Sequence, residues 1–251
     1  MAQEKPVILL VHGAFQRPAH YESVLSPLRD KGFTIVAPTL PTTGTDPNAD
    51  YTDDVSVIND ALEPLLDAGR EVIILAHSFG TLPASHCIEG ESVLERQECG
   101  FTGGIIHYIN VCGFSYPEKG RNIMGKNESF PLQDYYNVKD GLIHLLEEAK
   151  PIFYSDLDPD QVDKMWSSII KTHSERNFNS FPKFVDKDIL IPKTYLLCEN
   201  DLALAVEYQA YFVGNGGYED VVRLPSGHFP FSVMPEKMVE IICEISERSR
   251  P

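Results

Sequence analysis

Short apolar runs rich in valine and isoleucine recur along the chain and alternate with stretches of helical periodicity. The six runs are VILLVHG, FTIVAP, EVIILAHS, GIIHYINVC, KTYLLCEN and DVVRLPSGH. Each run is nearly continuously apolar, which is typical of strands buried on both faces of a parallel sheet. A strand, a helix and a second strand in succession form a right-handed crossover. The pattern therefore predicts an α/β fold with a mainly parallel, doubly wound sheet of about six strands flanked by helices.

Three segments between or after these runs show helical patterns. An apolar face at helical spacing extends from Val55 to Leu66,. Pro64 lies inside this pattern, so we expect a kink or an early break of the helix there. Residues 203–212 and 235–248 are also predicted to be helical. A chain of 251 residues fits a single α/β domain with one insertion,.

The insertion covers residues 114–192, where the alternation stops and no convincing strand is found. Its two amphipathic helical patterns consist of Leu142, Leu145, Leu146 and Ala149, and of Val162, Met165, Trp166, Ile169 and Ile170. An insertion before the penultimate strand lies over the strand ends, where such sheets bind ligands. We therefore predict a helical cap at 114–192 and an α/β core at 1–113 and 193–251. The alternative is a helical subdomain that only packs against the core.

The net charge of −16 argues against nucleic acid and anionic membrane surfaces as partners, because both require clustered lysine and arginine,. No stretch approaches the ~20 apolar residues of a membrane helix, and the N-terminus lacks the core of a signal peptide,. The 5 cysteines are odd in number and have no metal-ligand spacing, so we expect reduced thiols in the cytoplasm,. Neither a metal nor another cofactor is expected. The oligomeric state stays open, with a homodimer as one option.

The run EVIILAHSFG ends in a serine between two small residues, Ala76 and Gly80. A sharp strand-to-helix turn holds a serine oxygen away from its own backbone, and small flanking residues allow the backbone to approach closely. Ser78 is therefore a candidate nucleophile. The amide of Phe79, at the positive end of the following helix, is a candidate oxyanion donor. The alternative is a serine that only caps the helix.

Three other strand ends offer partners for Ser78. The first run continues into HGAF, a glycine-containing turn that can direct the Ala14 amide at the same oxyanion,. His228 ends the last run, in a glycine-flanked loop just after the predicted strand, from which a general base can reach the serine,. Asp201 follows the preceding run as a candidate acid, and Glu199, two residues earlier, has the same chemistry. The order Ser78, Asp201, His228 is that expected for a triad on such a sheet.

The chain resembles the α/β hydrolases, and more narrowly their small six-stranded branch, which contains plant salicylate-ester esterases and hydroxynitrile lyases. The matching pieces span nearly the whole chain outside the cap: VHGAF, GFTIVAPTLPTTG, VIILAHSFG, YLLCENDLAL and LPSGHFPF. The resemblance implies the α/β-hydrolase fold, with Ser78 as nucleophile, His228 as base and Asp201 orienting that base. It also implies an oxyanion hole formed by the amides of Ala14 and Phe79. It favours Asp201 over the earlier carboxylate, because the family's acid follows its strand by a few residues.

The same resemblance helps to distinguish two reactions. Cyanohydrin lyases of this branch have a threonine at the position of Gly13 and a lysine directly after the catalytic histidine, where this chain has Phe229. A positive charge there stabilises departing cyanide, so its absence argues against that reaction. We expect a serine hydrolase that cleaves a small, largely apolar or aromatic carboxylic ester or lactone through an acyl-enzyme on Ser78. Two alternatives stay open: a lyase or other non-hydrolytic enzyme with the same triad, and a hydrolase-like small-molecule receptor.

Aromatic side chains are expected to line the substrate pocket, and such walls suit an apolar or aromatic group. The aromatic candidates in the core are Phe15, Phe79 and Phe229, and those in the cap are Phe130, Tyr135, Phe153, Tyr154, Trp166 and Phe178. Gly13 is a further candidate for contact with the substrate. Trp166 fits a core position better, because its neighbours form a regular helical stripe. We expect His77 to pack beneath the serine turn rather than to react.

Overall fold

The computed structural model describes residues 4–128, 132–176 and 182–249. The strands in these ranges are Val7–Val11 (β1), Ile35–Val36 (β2), Glu71–His77 (β3), Gly104–Val111 (β4), Tyr136–Lys139 (β5), Leu142–Leu145 (β6), Thr172–Ser174 (β7), Lys193–Cys198 (β8) and Asp220–Leu224 (β9). The α-helices are Glu22–Asp30 (α1), Tyr51–Asp67 (α2), Thr81–His86 (α3), Val93–Glu98 (α4), Lys150–Phe153 (α5), Pro159–Ser168 (α6), Val206–Gly216 (α7), Pro230–Val233 (α8) and Pro235–Arg248 (α9). None of these helices is both long enough and apolar enough to cross a bilayer.

Six strands form one parallel sheet in the order β2-β1-β3-β4-β8-β9, and together they account for all six apolar runs of the sequence. Successive side chains of a strand point to opposite faces. Ile8 and Leu10 accordingly belong to one hydrophobic cluster, whereas Leu9 and Val11 belong to another. Helices cover both faces, so the predicted doubly wound α/β-hydrolase sheet is confirmed.

The direction of winding changes between β1 and β3. The chain leaves β1 for β2 on one side and returns to β3 on the other side of β1. Such a switch point opens a crevice at the carboxyl ends of the strands, where parallel sheets bind ligands. Strand β1 ends two residues before Gly13, and β3 ends directly before Ser78. The predicted site residues therefore begin at this crevice.

Helix α2 contains Pro64, the position at which we expect a kink or an early break. Its first turn is capped by the Asp50 carboxylate, which accepts a hydrogen bond from the Thr52 amide at 2.8 Å,. The helix continues past Pro64 to Asp67, so an early break there was the wrong expectation. Pro64 lies in the last turn, where the single missing N–H leaves the rest of the ladder intact.

The two C-terminal helices are close to their predicted positions. Helix α9 has the predicted bounds, whereas α7 begins at Val206 rather than at residue 203. The Asp201 carboxylate accepts hydrogen bonds from the amides of Ala203 and Leu204, both at 2.8 Å. These bonds hold the two residues in a loop and delay the start of the helix.

The insertion at 114–192 differs from its prediction, because it contains strands. Leu142–Leu145 is a strand rather than a helix, and β5, β6 and β7 form a three-stranded antiparallel sheet. The physical reason lies in Asp140 and Gly141, which join β5 to β6 with positive φ angles of 54° and 76°. Aspartate followed by glycine favours a two-residue hairpin turn. The second pattern does form a helix, α6, which ends at Ser168.

The insertion contributes side chains to both hydrophobic clusters, and Phe184 and Ile191 belong to the one that contains Leu9 and Val11. Ile143, Phe153 and Trp166 share a hydrophobic cluster with Ile8 and Leu10 of β1. Backbone contacts join the two parts as well, since the Ile170 amide donates to the Phe15 carbonyl at 2.9 Å. The role of residues 114–192 as a cap over the site stays a prediction.

Candidate active site

Ser78 lies where β3 passes through a 3₁₀ turn, Ser78–Gly80, into α3. Its φ angle is 50°, in the left-handed region that residues other than glycine seldom adopt,. Strain of this kind persists only where the surroundings hold the backbone, and here the Thr81 hydroxyl donates to the Ser78 carbonyl at 2.7 Å. The residue at the cap of α3 is Gly80, not Ser78. The turn therefore has the geometry of the predicted sharp strand-to-helix turn, which we call the elbow, rather than that of an ordinary helix cap.

The small residues beside Ser78 have a steric cause. A Cβ atom at Gly80 would lie 2.3 Å from the His12 carbonyl oxygen and 2.8 Å from that of Val11. Ala76 is fully buried and lies opposite Val11 in the β1–β3 ladder. Backbone from β1 thus passes directly under the elbow, which explains the spacing of small residues in the sequence.

The three predicted triad residues lie together at the carboxyl edge of the sheet. Ser78 Oγ is 2.9 Å from His228 Nε2, and His228 Nδ1 is 2.7 Å from Asp201 Oδ2. With Nδ1–H donating to the carboxylate, Nε2 is left as the acceptor for the serine hydroxyl. Ser78 is 8% exposed, and the side chains of His228 and Asp201 are 6% and 0% exposed. This arrangement can transfer a proton from the serine oxygen to the imidazole.

The structure distinguishes the two candidate acids. Besides contacting His228, Asp201 is fixed by the two loop amides that hydrogen-bond to its Oδ1 atom. Glu199 points elsewhere: its carboxylate accepts from Arg223 Nε at 2.7 Å, and its side chain is 38% exposed. The geometry therefore favours Asp201 as the partner of the histidine.

Residues 12–16 form a loop after β1, which we call the oxyanion loop because it carries Ala14, a predicted oxyanion donor. The His12 side chain makes two hydrogen bonds at the start of this loop. Its Nδ1 donates to the Gly13 carbonyl at 2.9 Å, and its Nε2 accepts from the Leu40 amide at 3.0 Å. Burial lowers the pKa of His12 to about 4, so the ring is neutral and both bonds are retained near neutral pH,. Phe15 has a φ angle of 63°, which completes the tight turn after Ala14. The amides of Ala14 and Phe79 stay our predicted oxyanion donors.

Several predicted wall residues surround the elbow. The Phe153 ring of the insertion lies edge-on to the His228 ring, with centroids 5.3 Å apart. Phe15 and Phe79 both pack against His173, at centroid distances of 5.5 and 4.9 Å. Sequence reasoning did not identify His173, which β7 brings to the oxyanion loop. Burial lowers its pKa to about 3, so it is a neutral polar group among aromatic rings.

Other predicted wall residues lie among protein side chains. The Phe229 ring packs against those of Tyr21, His77, Tyr154 and Phe231. Trp166 is buried, and its ring N–H donates to Glu147 at 2.7 Å, which agrees with a core position. The Tyr154 hydroxyl accepts from Gln16 at 3.0 Å, and Tyr135 packs against Phe153. Phe130 and Phe178 lie outside the described residues.

Two supporting residues had no recognisable signal in the sequence. Gln209 is fully buried in α7 and bonds to both the amide and the carbonyl of Cys198, each at 2.9 Å. It thereby ties α7 to the end of β8, just before the loop that carries Asp201. Asp156, in the insertion, accepts a hydrogen bond from the Gly227 amide. This bond anchors the residue directly before His228.

One group of side chains in the described residues has the spacing of a metal site: His77, Cys112 and His228, whose ligand atoms lie within 4.8 Å of one another. His77 Nε2 and Cys112 Sγ, however, both hydrogen-bond to the His228 carbonyl oxygen, at 2.9 and 3.4 Å. Burial also raises the pKa of the Cys112 thiol, which opposes the thiolate that a metal requires,. We keep the prediction that no metal binds here. All five cysteines are free.

Comparison with known proteins identifies the family of this chain. A model of the alpha/beta hydrolase family matches residues 8–241. The alpha/beta hydrolase nvfD of Aspergillus novofumigatus is 29% identical over 245 residues, covering 95% of each chain. Two crystal structures share the fold. A pyrethroid hydrolase from Sphingobium faniae has a TM-score of 0.70 at 21% identity, over 96% of this chain and 97% of that one. The methylesterase MES16 from Arabidopsis has a TM-score of 0.67 at 19% identity, over 96% and 99%.

The family match covers most of the chain, and the six-stranded parallel sheet agrees with that family's fold. The resemblance to the α/β hydrolases is thus confirmed. The chain belongs to the alpha/beta hydrolase family.

Proposed function

We propose that the protein is a serine hydrolase that cleaves small, largely apolar or aromatic carboxylic esters or lactones through an acyl-enzyme on Ser78. The observation that carries the proposal is the buried series of hydrogen bonds from Ser78 to His228 and from His228 to Asp201, 2.9 and 2.7 Å long. Hydrolase and esterase names among the similar proteins support the same class of reaction.

The proposed reaction has two half-reactions. As Ser78 Oγ attacks the carbonyl carbon, its proton passes to His228 Nε2, and Asp201 stabilises the resulting imidazolium. The amides of Ala14 and Phe79 donate to the developing oxyanion. His228 then protonates the leaving alkoxide. In the second half-reaction, water attacks the acyl group with the same histidine as base, releasing the acid and regenerating Ser78. Only these groups and water are needed, without a metal or an organic cofactor.

The surroundings of Ser78 support an apolar or aromatic substrate. Phe15, Phe79 and Phe153 place aromatic rings around the elbow and the base, and the nearby His173 is neutral. Such walls bind through buried apolar area rather than through charge. The similarity to a pyrethroid hydrolase and a methylesterase supports an ester as the reacting group.

Two positions support hydrolysis over cyanohydrin cleavage. A Cβ atom at position 13 would lie 3.0 Å from His77 Nδ1 and 3.2 Å from Ser78 Cβ, so the elbow is packed for glycine there rather than for threonine. Phe229 follows His228 and is 1% exposed, with its ring against His77. A side chain of this type supplies no positive charge to a departing anion.

Turnover of p-nitrophenyl esters and aromatic lactones tests the proposal. We expect hydrolysis by the wild-type protein, with one ¹⁸O atom from labelled water in the acid product. Ser78→Ala should lower kcat by at least about 10³-fold, because both half-reactions use this oxygen. Ser85→Ala, which removes another buried serine hydroxyl in α3, is the matched control and should retain activity.

Three results would contradict the proposal. Full activity of Ser78→Ala would exclude the acyl-enzyme. Substrate cleavage without ¹⁸O incorporation would favour a lyase. Ligand binding without turnover by a folded protein would favour a receptor.

A further inference from the structure

We infer that Tyr21 and His77 are positioning residues, which together fix the position of the oxyanion loop relative to the main chain of His228. This inference rests on the proposed function, because it assigns these two side chains a part in the same reaction. Neither of them touches the nucleophilic oxygen or the acid in the triad.

Three hydrogen bonds form a continuous chain beneath the elbow. The Gly13 amide nitrogen lies 2.9 Å from the Tyr21 hydroxyl oxygen. That oxygen lies 2.8 Å from His77 Nδ1. At the other side of the ring, His77 Nε2 lies 2.9 Å from the His228 carbonyl oxygen. The hydrogen bonds therefore join the loop after β1, the last residue of β3 and the loop after β9.

The chemistry of the two ends sets the direction of every bond. The Gly13 N–H can only donate, so the Tyr21 oxygen accepts there and uses its own hydrogen toward His77 Nδ1. His77 Nδ1 is therefore an acceptor, and the ring hydrogen is on Nε2. A carbonyl oxygen can only accept, so Nε2–H donates to His228. One tautomer of neutral His77 satisfies all three bonds.

The ionisation states are compatible with this direction. His77 is 1% exposed, and burial, followed by the neighbouring His228, holds its pKa well below the usual range. Burial raises the pKa of Tyr21 well above its usual range. Both groups therefore stay neutral where an esterase works, and the three bonds persist through changes in the charge of the triad.

The chain connects the parts that must act together. Gly13 directly precedes Ala14, one proposed oxyanion donor, and His77 directly precedes Ser78. The carbonyl at the far end belongs to the proposed general base itself. Misplacing reacting groups by about 1 Å can cost about 10²-fold in rate. Breaking the hydrogen bonds between the oxyanion loop and the His228 main chain should therefore slow acylation more than it weakens substrate binding.

The Tyr21 ring would keep its place without the hydroxyl. It packs against Phe229 and Phe231, with centroids 5.2 and 4.7 Å away. Tyr21→Phe consequently removes the link with little change in packing, and it leaves the Gly13 amide and His77 Nδ1 without their shared partner. The matched control is Tyr218→Phe, which removes a buried hydroxyl bonded to Asn110 and Asp186 rather than to the oxyanion loop.

The first test measures kcat, KM and the rate of inactivation by a fluorophosphonate for both variants. For Tyr21→Phe we expect kcat and the inactivation rate to fall by about 10- to 100-fold, with KM within about twofold of wild type. Tyr218→Phe should stay within about threefold of wild type in all three quantities. Equal kinetics of the two tyrosine variants would overturn the inference.

The second test does not depend on catalytic activity. Long-range ¹H–¹⁵N NMR of the wild-type protein, with His77 assigned by the loss of its signals in His77→Asn, should show the Nε2–H tautomer and no titration between pH 5.5 and 8. An Nδ1–H tautomer, or a His77 that titrates in this range, would overturn the inference. A wild-type protein that hydrolyses no ester and does not react with fluorophosphonate would refute the proposed function instead, and the NMR result would still decide whether the link exists.

Discussion

Replacing Asp201 by asparagine should disable the proposed base without disturbing its position. Oδ1 of Asp201 accepts the amides of Ala203 and Leu204, both at 2.8 Å, so the corresponding oxygen of an asparagine should stay there. The asparagine NH₂ group would then replace Oδ2, which now lies 2.7 Å from His228 Nδ1. An NH₂ group can only donate, so Nδ1 would have to accept and Nε2 would carry the ring hydrogen.

The expected magnitude follows from this tautomer. A histidine with hydrogen on Nε2 cannot take the proton from Ser78, and a matching change in a serine-protease triad lowers kcat by about 10⁴-fold. At about 1.36 kcal/mol per factor of ten, this is about 5.4 kcal/mol of transition-state stabilisation. We expect a loss of this order in kcat for a p-nitrophenyl ester, with little change in KM.

Glu199→Gln is the matched control, because it makes the same chemical change two residues away. It removes one exposed ion pair with Arg223, which contributes about 0–1 kcal/mol to stability,. Its kcat should equal that of wild type. An Asp201→Asn variant within about tenfold of wild type would refute the tautomer argument. A large loss in Glu199→Gln alone would move the acid to that residue.

Two further predictions concern the elbow and its surroundings. Gly80→Ala should destabilise the fold by about 1–3 kcal/mol in urea unfolding, because the new Cβ would lie 2.3 Å from the His12 carbonyl oxygen,; an unchanged unfolding midpoint would contradict the close approach. Acidification should also destabilise the protein: burial lowers the pKa of His12 to about 4 and that of His173 to about 3, so the unfolded chain binds these protons first. The free energy of unfolding should fall as the pH drops from about 6.5 toward 3, and an unfolding midpoint that is constant between pH 7 and pH 4.5 would contradict this.

The sheet could be predicted because its signal is local. Each strand buried on both faces appears as an uninterrupted apolar run, and Ser78, Asp201 and His228 lie at or just after the ends of such runs. The order of the strands, by contrast, arises from how the helices cross the sheet. That order is what brings the end of β1 beneath the elbow and makes glycine necessary at position 80.

The insertion was harder to predict because short apolar patterns fit both a helix and a strand. Leu142, Leu145 and Leu146 match helical spacing, but Asp140 and Gly141 carry the hairpin signal that decides the matter,. Giving that dipeptide more weight would have found β5 and β6. The third strand, β7, is only three residues long, and it forms because β6 offers it an edge.

The supporting polar residues could not be identified from the sequence, since their partners are distant in the chain. His77 and His228 are 151 positions apart, and Gly13 and Tyr21 meet across a turn and a helix start. In the sequence, Gln209 is an ordinary polar residue of a helix. Its role becomes visible only in the fold, where it bonds to Cys198 at the end of β8. Such roles depend on tertiary contacts alone.

The central claim is that Ser78 is an activated nucleophile, and intact-mass spectrometry after incubation with a fluorophosphonate tests it most directly. We predict a single adduct, mapped by peptide analysis to Ser78, which is absent in Ser78→Ala and strongly slowed in Asp201→Asn. An unmodified wild-type protein with a native circular dichroism spectrum, or an adduct on another residue, would contradict the account.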